Sequence, residues 1–292
     1  MTKETKMKMP LMLRFIRWAF PKVERVAPSM AAKWAWKLFF TPFRFPVPAK
    51  EQELADQSNK FTFEAEGYTI QGYEWGTGEK SIFLMHGWSG RATQWRSFIS
   101  LLNDKGYRVV AIDGPGHGLS SGGMTDIIRF QRILQVLFGM YPKMDSAITH
   151  SFGGASTMFA IQNGLKIRRL VNIGTPTDAD YIIADFLRRI NASAKSGEQF
   201  RLNVQKIFGQ TFDYFSVKET VKFANNTDIL MIHDRQDREV PVEHSIEVHE
   251  DNPDTQLILT EGLGHMRILR DAEVIAKAIS FVEEPNTVIS TY

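Results

Sequence analysis

The chain contains no cysteine. That excludes disulfide staples, thiolate nucleophiles and cysteine-ligated metals, and it fits a reducing compartment. Nor is there any run of the roughly 18 apolar residues that a membrane-spanning helix needs. The apolar stretch at residues 10–20 is broken by Arg14 and Arg17, and no small-residue cleavage site follows it. These absences lead to the expectation of a cytoplasmic protein. A large charge imbalance is also missing: the net charge is +2 over 292 residues, which gives no general argument for nucleic-acid binding. Internal repeats and low-complexity tracts are absent. What is present, 43% hydrophobic and 23% charged residues, is ordinary for a folded chain. The length suits one large α/β domain, or such a domain carrying an inserted cap.

Acidic residues are scarce only at the start. Residues 1–48 hold ten Lys+Arg against two Glu, a balance of +8, and the remainder carries −6. Residues 11–20 place Leu11, Phe15, Trp18 and Ala19 among the apolar positions of a helix that Pro21 cannot continue without a kink. In residues 29–40, Ser29 can cap, Lys33 and Lys37 share one face, and Met30, Trp34 and Leu38 share another. The favoured reading is a helical arm, residues 1–50, that packs its aromatics onto the main domain. The alternative is peripheral membrane contact through residues 1–48, since basic amphipathic helices with tryptophan lie in the lipid interface. The prolines of residues 43–48 suit an extended linker.

From Phe61 the pattern alternates, with Phe61, Phe63 and Ala65 on one face. It repeats through Tyr68, Ile70 and Trp75, as expected of two half-buried antiparallel strands. Short apolar strands then alternate with helical stretches. Strands are expected at 81–85, 108–112, 146–149, 169–173, 228–232 and 255–259, and helices near 93–105, 126–140, 153–163, 242–250 and 271–281. This order means a mostly parallel sheet covered on both faces. One interruption, residues 177–226, is helical in character. It has starts near Thr177 or Asp178, a second helix near 198–208, and a capping-box signature at Ser216-Val217-Lys218-Glu219. It reads as a lid, and Tyr181, Phe186 and Phe212 are among its candidates for contact with substrate.

Parallel sheets bind ligands at the carboxyl ends of their strands. There, Thr149-His150-Ser151-Phe152-Gly153-Gly154 has the shape of a nucleophile elbow, with Ser151 at a sharp strand-to-helix corner. Thr149 stands where the first glycine of Gly-x-Ser-x-Gly is expected, a source of strain. His86-Gly87-Trp88-Ser89-Gly90 can aim the Trp88 amide at a developing oxyanion, with the Phe152 amide as second donor; His86 is a further candidate substrate contact. Asp113-Gly114-Pro115-Gly116-His117-Gly118 reads as a demanding turn, giving Asp113 and His117 structural roles. A serine hydroxyl needs a histidine to take its proton and a carboxylate to orient that ring. His265 has the best position, in a strand-end loop. His233 ends a strand and is placed to line the site, His150 should diverge from Ser151, and His244 and His249 read as surface residues. For the acid, Asp237 is favoured over Asp234, suited to capping the turn, and Glu239, suited to pairing with an arginine.

With these residues in order, the chain from about Phe61 to Val282 resembles the α/β-hydrolase fold superfamily. The resemblance implies a three-layer α/β/α fold with a mostly parallel eight-stranded sheet in residues 51–292 and a helical cap at about 177–226. It also implies a Ser151–His265–Asp237 triad and an oxyanion hole from Trp88 and Phe152. The expected activity is hydrolysis of an ester or related acyl bond of a small-to-medium, apolar substrate, with no metal or organic cofactor required. The alternatives are C–C bond hydrolysis, thioester hydrolysis or acyl transfer by the same triad, and a non-catalytic or membrane-associated binding protein on the same scaffold.

Overall fold

The computed structural model describes residues 11–284. In chain order its elements begin with α1 (Leu11–Val26), α2 (Pro28–Phe40), α3 (Ala49–Asp56), β1 (Asn59–Ala65), β2 (Tyr68–Trp75) and β3 (Lys80–Met85). There follow α4 (Arg96–Asp104), β4 (Tyr107–Ile112), α5 (Ile127–Met140), β5 (Ser146–His150), α6 (Phe152–Gln162) and β6 (Arg169–Ile173). Next come α7 (Ala179–Ile190), α8 (Ala194–Phe208), α9 (Val217–Thr220), β7 (Asp228–Asp234), α10 (Glu243–Asp251), β8 (Gln256–Thr260), α11 (Gly264–Arg267) and α12 (Ala272–Glu283). Contacts divide these into two units, residues 11–40 with 179–214, and residues 41–178 with 215–284.

The larger unit is built on one eight-stranded sheet in the order β1-β2-β4-β3-β5-β6-β7-β8. The alternating strands β1 and β2 pair antiparallel, and β2 joins β4 antiparallel. Every later pairing is parallel. The register sets Phe61 opposite Gly72, and the Phe61 ring fills the space beside Gly72, where a Cβ would sit 2.2 Å from it.

The central strands are apolar on both faces because both faces are covered. Ile82 and Leu84 of β3 join one core with Phe98, Leu102, Val274 and Ile279 from α4 and α12. Phe83 and Met85 point the other way, to a core with Phe130, Leu134, Met158 and Ile161 from α5 and α6. Helix starts follow local chemistry. Asp126 accepts the Arg129 N–H at 3.0 Å ahead of α5, and Asp271 accepts the N–H groups of Glu273 and Val274 ahead of α12.

The smaller unit gathers the N-terminal helices with part of the interruption. Ile16 and Phe20 of α1 and Ala31, Ala35 and Phe40 of α2 share a core with Ile183, Leu187 and Ile190 of α7 and Phe200 and Val204 of α8. The Phe39 ring meets Phe186 and Phe200 edge-on, at 5.0 and 5.3 Å between centroids. Arg17 donates to the carbonyl oxygens of Arg188 and Arg189, and Glu24 accepts the Ser193 hydroxyl at 2.5 Å.

Several expectations change. The arm's aromatics are gathered with α7 and α8, within the stretch read as a lid, because both partners present apolar faces of helical period. Helix α1 continues through Pro21 to Val26, and α3, at whose buried face Glu51 meets Arg91, was not foreseen. The capping-box signature at Ser216 yields a single turn, α9, and Val217, Val221 and Ala224 return the chain to the sheet core.

Phe83→Ala should remove a fully buried ring from the middle of the sheet. Urea unfolding is expected to show a loss of about 3–5 kcal/mol in the larger unit; a loss below about 1 kcal/mol would contradict the packing described.

Candidate active site

Strand β5 runs straight into α6, and the corner between them is Ser151, with φ +53° and ψ −126°. A side chain in this left-handed region is strained unless its surroundings fix it. Here the Ser151 N–H donates to the Ile173 carbonyl of β6 at 2.9 Å, and the Ser151 carbonyl accepts the Gly154 N–H at 2.9 Å. The helix then passes close to its neighbours. A Cβ on Gly153 would lie 2.5 Å from the His86 carbonyl oxygen, and one on Gly154 would lie 2.0 Å from Thr175 Oγ1. On the facing loop, a Cβ on Gly87 would come within 2.9 Å of the Ser151 Cβ.

Thr149 causes no left-handed backbone strain. It is fully buried, and its hydroxyl donates to Asn172 Oδ1 at 2.6 Å, with the Val171 carbonyl at 3.1 Å. The room that glycine would leave is occupied by a side chain whose polar atom is satisfied from β6.

The two later loops bring His265 and Asp237 together. His265 follows Gly264, whose φ is +66°, and its Nδ1 lies 2.7 Å from Asp237 Oδ2. The Asp237 side chain is 1% exposed. Burial pushes its carboxyl up, but hydrogen bonds from His233 and His265, the His265 charge and the Val240 N–H outweigh that and hold it well below the ordinary range. Oδ1 accepts the N–H groups of Glu239 and Val240, at 2.8 and 3.0 Å. Gly174, at φ +57°, closes β6 beside this pair: a Cβ there would lie 3.3 Å from His265 Nδ1. Nothing in the sequence reading marked Gly174, although a glycine immediately after a strand was the available signal.

Asp234 takes the turn-holding role. It accepts from the N–H groups of Gln236, Leu263 and Gly264 and from the Thr260 hydroxyl, binding the Asp237 loop to the His265 loop. Glu239 is exposed. His233 is fully buried behind the acid rather than lining the site. Its Nε2 is 3.1 Å from the Val240 carbonyl and 3.4 Å from Asp237 Oδ2, and its Nδ1 accepts from the Ser245 hydroxyl at 2.7 Å.

His150 does not diverge from the site. Its ring lies 4.6 Å from that of His265 between centroids, and its Nε2 donates to the His265 carbonyl at 2.9 Å. Burial, then the neighbouring His265, pushes its pKa down to about 3. The expected contact from His86 is also corrected. That ring is buried with both nitrogens engaged by backbone, Nδ1 donating to the Gly87 carbonyl and Nε2 accepting the Gly114 N–H. Asp113 accepts from Ala92 N, Leu119 N and the Tyr73 hydroxyl, a structural role as expected. His117 is buried against the His86 and Trp88 rings. His244 is buried too, with its carbonyl accepting the Thr177 hydroxyl, and His249 Nδ1 lies 2.7 Å from the Thr255 carbonyl. Both sit where α10 faces the chain, so helical position on a surface element misjudged them.

In the loop after β3, Ser89 has φ +58°, and the Gly90 N–H donates to the Gly87 carbonyl. The Trp88 ring stands edge-on to Phe152, 5.1 Å between centroids. Tyr181, Phe186 and Phe212 belong to the smaller unit, where Phe186 and Phe212 pack against its core. Among the described residues, no three His, Asp or Glu side chains gather as a metal site.

A family model described as the α/β-hydrolase fold matches residues 80–212. The structure of an esterase from Pyrococcus furiosus superposes with a TM-score of 0.64 at 20% identity, over 83% of this chain and 95% of that one. This is an α/β-hydrolase-fold protein. A thioesterase domain from the curacin biosynthetic pathway shares the fold at a TM-score of 0.57 and 16% identity, over 78% of this chain and 99% of that one. A serine hydrolase-like protein of Danio rerio is 28% identical over 216 residues, 68% of this hydrolase-fold chain and 58% of that protein. A 2-hydroxy-6-oxononadienedioate/2-hydroxy-6-oxononatrienedioate hydrolase of Cupriavidus pinatubonensis is 31% identical over 117 residues, 37% of this chain and 40% of that protein. The chain thus spans less than two thirds of the length of these curated relatives. Among the described residues of the hydrolase fold, no helix is long and apolar enough to cross a membrane.

Thr149→Gly is expected to cost about 1–3 kcal/mol in urea unfolding, through the lost hydrogen bond and the freer backbone. A stabilised variant would mean that Thr149 is strained after all. The buried neutral His150 sets a pH dependence. Its folded pKa lies below its unfolded value of about 6.5, so the unfolded chain binds the proton first as pH falls. Its stability contribution is complete above about pH 6.5 and is lost toward pH 3, at up to roughly 1.4 kcal/mol per pH unit. Unfolding at a series of pH values should show this slope, and it should shrink in His150→Gln.

Proposed function

We propose that the protein is a serine hydrolase that cleaves an ester or related acyl bond through Ser151, His265 and Asp237. The observation that carries this reading is the 2.7 Å contact between His265 Nδ1 and the buried Asp237 carboxylate, on loops at the same strand ends as the left-handed Ser151. With Nδ1–H committed to the carboxylate, the Nε2 lone pair is the base. It takes the Ser151 proton as Oγ attacks the substrate carbonyl, and returns that proton to the leaving group. The Trp88 and Phe152 amides are assigned to the oxyanion. Water then attacks the acyl-enzyme, giving its proton to His265 and freeing the acid and the serine. The half-buried rings of Trp88 and Phe152 favour an apolar acyl group.

A second reading uses the same residues on a carbon–carbon bond. The 31% identity to the 2-hydroxy-6-oxononadienedioate hydrolase supports it.

Reaction with a fluorophosphonate is expected to add covalent mass at Ser151 and to be abolished in Ser151→Ala. On p-nitrophenyl esters of increasing acyl length, Asp237→Asn should lower kcat on the order of 10³–10⁴. Absence of labelling across pH 5–9 would favour a non-catalytic binder. Turnover of a 2-hydroxy-6-oxodienoate without ester turnover would favour the second reading.

A further inference from the structure

Helix α1 is built unlike a helix that faces only water. Its inward side buries Ile16 and Phe20, yet Leu11, Phe15, Trp18 and Val26 are 79%, 60%, 61% and 80% exposed. At 100° per residue these four fall on one arc of about 120° with Arg14, Lys22 and Arg25. All three of those cations are exposed. The single acid between residues 11 and 40, Glu24, lies off this arc and is bonded to Ser193. The Lys22 ammonium rests 3.2 Å from the centre of the Trp18 ring. On α2, Met30, Lys33 and Lys37 are exposed as well, and that helix holds no acid.

We propose that this face of α1 docks the protein on an anionic lipid bilayer. Large apolar side chains left in water at this density mark an interaction surface. The interleaved cations argue for the kind of partner. A second copy of the chain would bring Arg14, Lys22 and Arg25 against themselves, with no acid on the face to meet them. A bilayer with acidic headgroups meets the cations at the same depth at which Trp18 and Phe15 reach the acyl boundary. Long basic side chains then extend back toward the phosphates. Lys22 already rides on the Trp18 ring, so the aromatic and the charge reach the headgroup level together. Binding of this kind is interfacial, parallel to the surface, and weakened by salt. It does not depend on the proposed catalytic activity.

The test is co-flotation of the full chain with vesicles of phosphatidylcholine and phosphatidylglycerol, three to one, at about 0.1 M salt. Pure phosphatidylcholine vesicles serve as the comparison. Recovery is expected with the anionic vesicles, and it should fall at least tenfold on the neutral ones and at about 0.5 M salt. Replacing Arg14, Lys22 and Arg25 together by Gln should lower the partition coefficient on the order of a hundredfold, about fivefold per cation. The pair Phe15→Ser and Trp18→Ser should lower it about tenfold or more. All five positions are exposed, so thermal unfolding is expected to be unchanged. No recovery with anionic vesicles, or equal recovery of both variants and the parent, overturns the proposal. So does a dimer in sedimentation that dissociates in the Phe15/Trp18 variant, which would assign the face to a second copy.

Discussion

The site depends on how closely a helix can follow a strand. Ser151 turns the chain in a left-handed conformation, and α6 then crosses the ends of β3 and β6 with no room for side chains at its second and third positions. Gly153 and Gly154 are there because backbone and Thr175 atoms already fill the space a Cβ would need. That close passage also directs the Ser151 N–H into β6. The strain at one residue is held by hydrogen bonds and contacts distributed over three strands, so the surrounding structure over-determines it.

The remaining polar groups form a layered support. Asp234 ties together the loops that carry Asp237 and His265, using three backbone donors and one hydroxyl. His233 sits behind Asp237, and His150 holds the His265 main chain. Asp234, His233 and His150 are each hydrogen-bonded to neighbouring groups, so the orientation of the His265 ring is set by backbone as well as by its carboxylate partner. The low pKa of His150 belongs to this scheme: a neutral ring donates one hydrogen bond and adds no charge beside His265.

Much of this was legible in the residues. Period-two alternation marked β1 and β2, short apolar runs marked the parallel strands, and the turn ahead of Val240-Pro241 with the order serine, acid, histidine favoured Asp237 over Asp234 and Glu239. A place in a strand-end loop singled out His265 among seven histidines. The failures share a cause. His86, His150, His233 and His244 were judged by position on an element or by adjacency to Ser151, yet their surroundings come from residues far away in the chain. The turn at Ser216 and helix α3 were short elements whose local signals either overstated or hid them.

The sequence by itself determined the fold class and marked the serine, acid and histidine that the proposed chemistry uses, because periodicity, glycine placement and residue order are local or one-dimensional properties. Only the tertiary structure decided that Thr149 is tolerated, that Gly174 leaves room for the His265–Asp237 pair, that His86 serves backbone, and that α1 keeps Trp18 and Phe15 in solvent while burying Phe20. Those outcomes rest on which distant atoms fill a given space or supply a hydrogen-bond partner, and no periodicity along the chain encodes that.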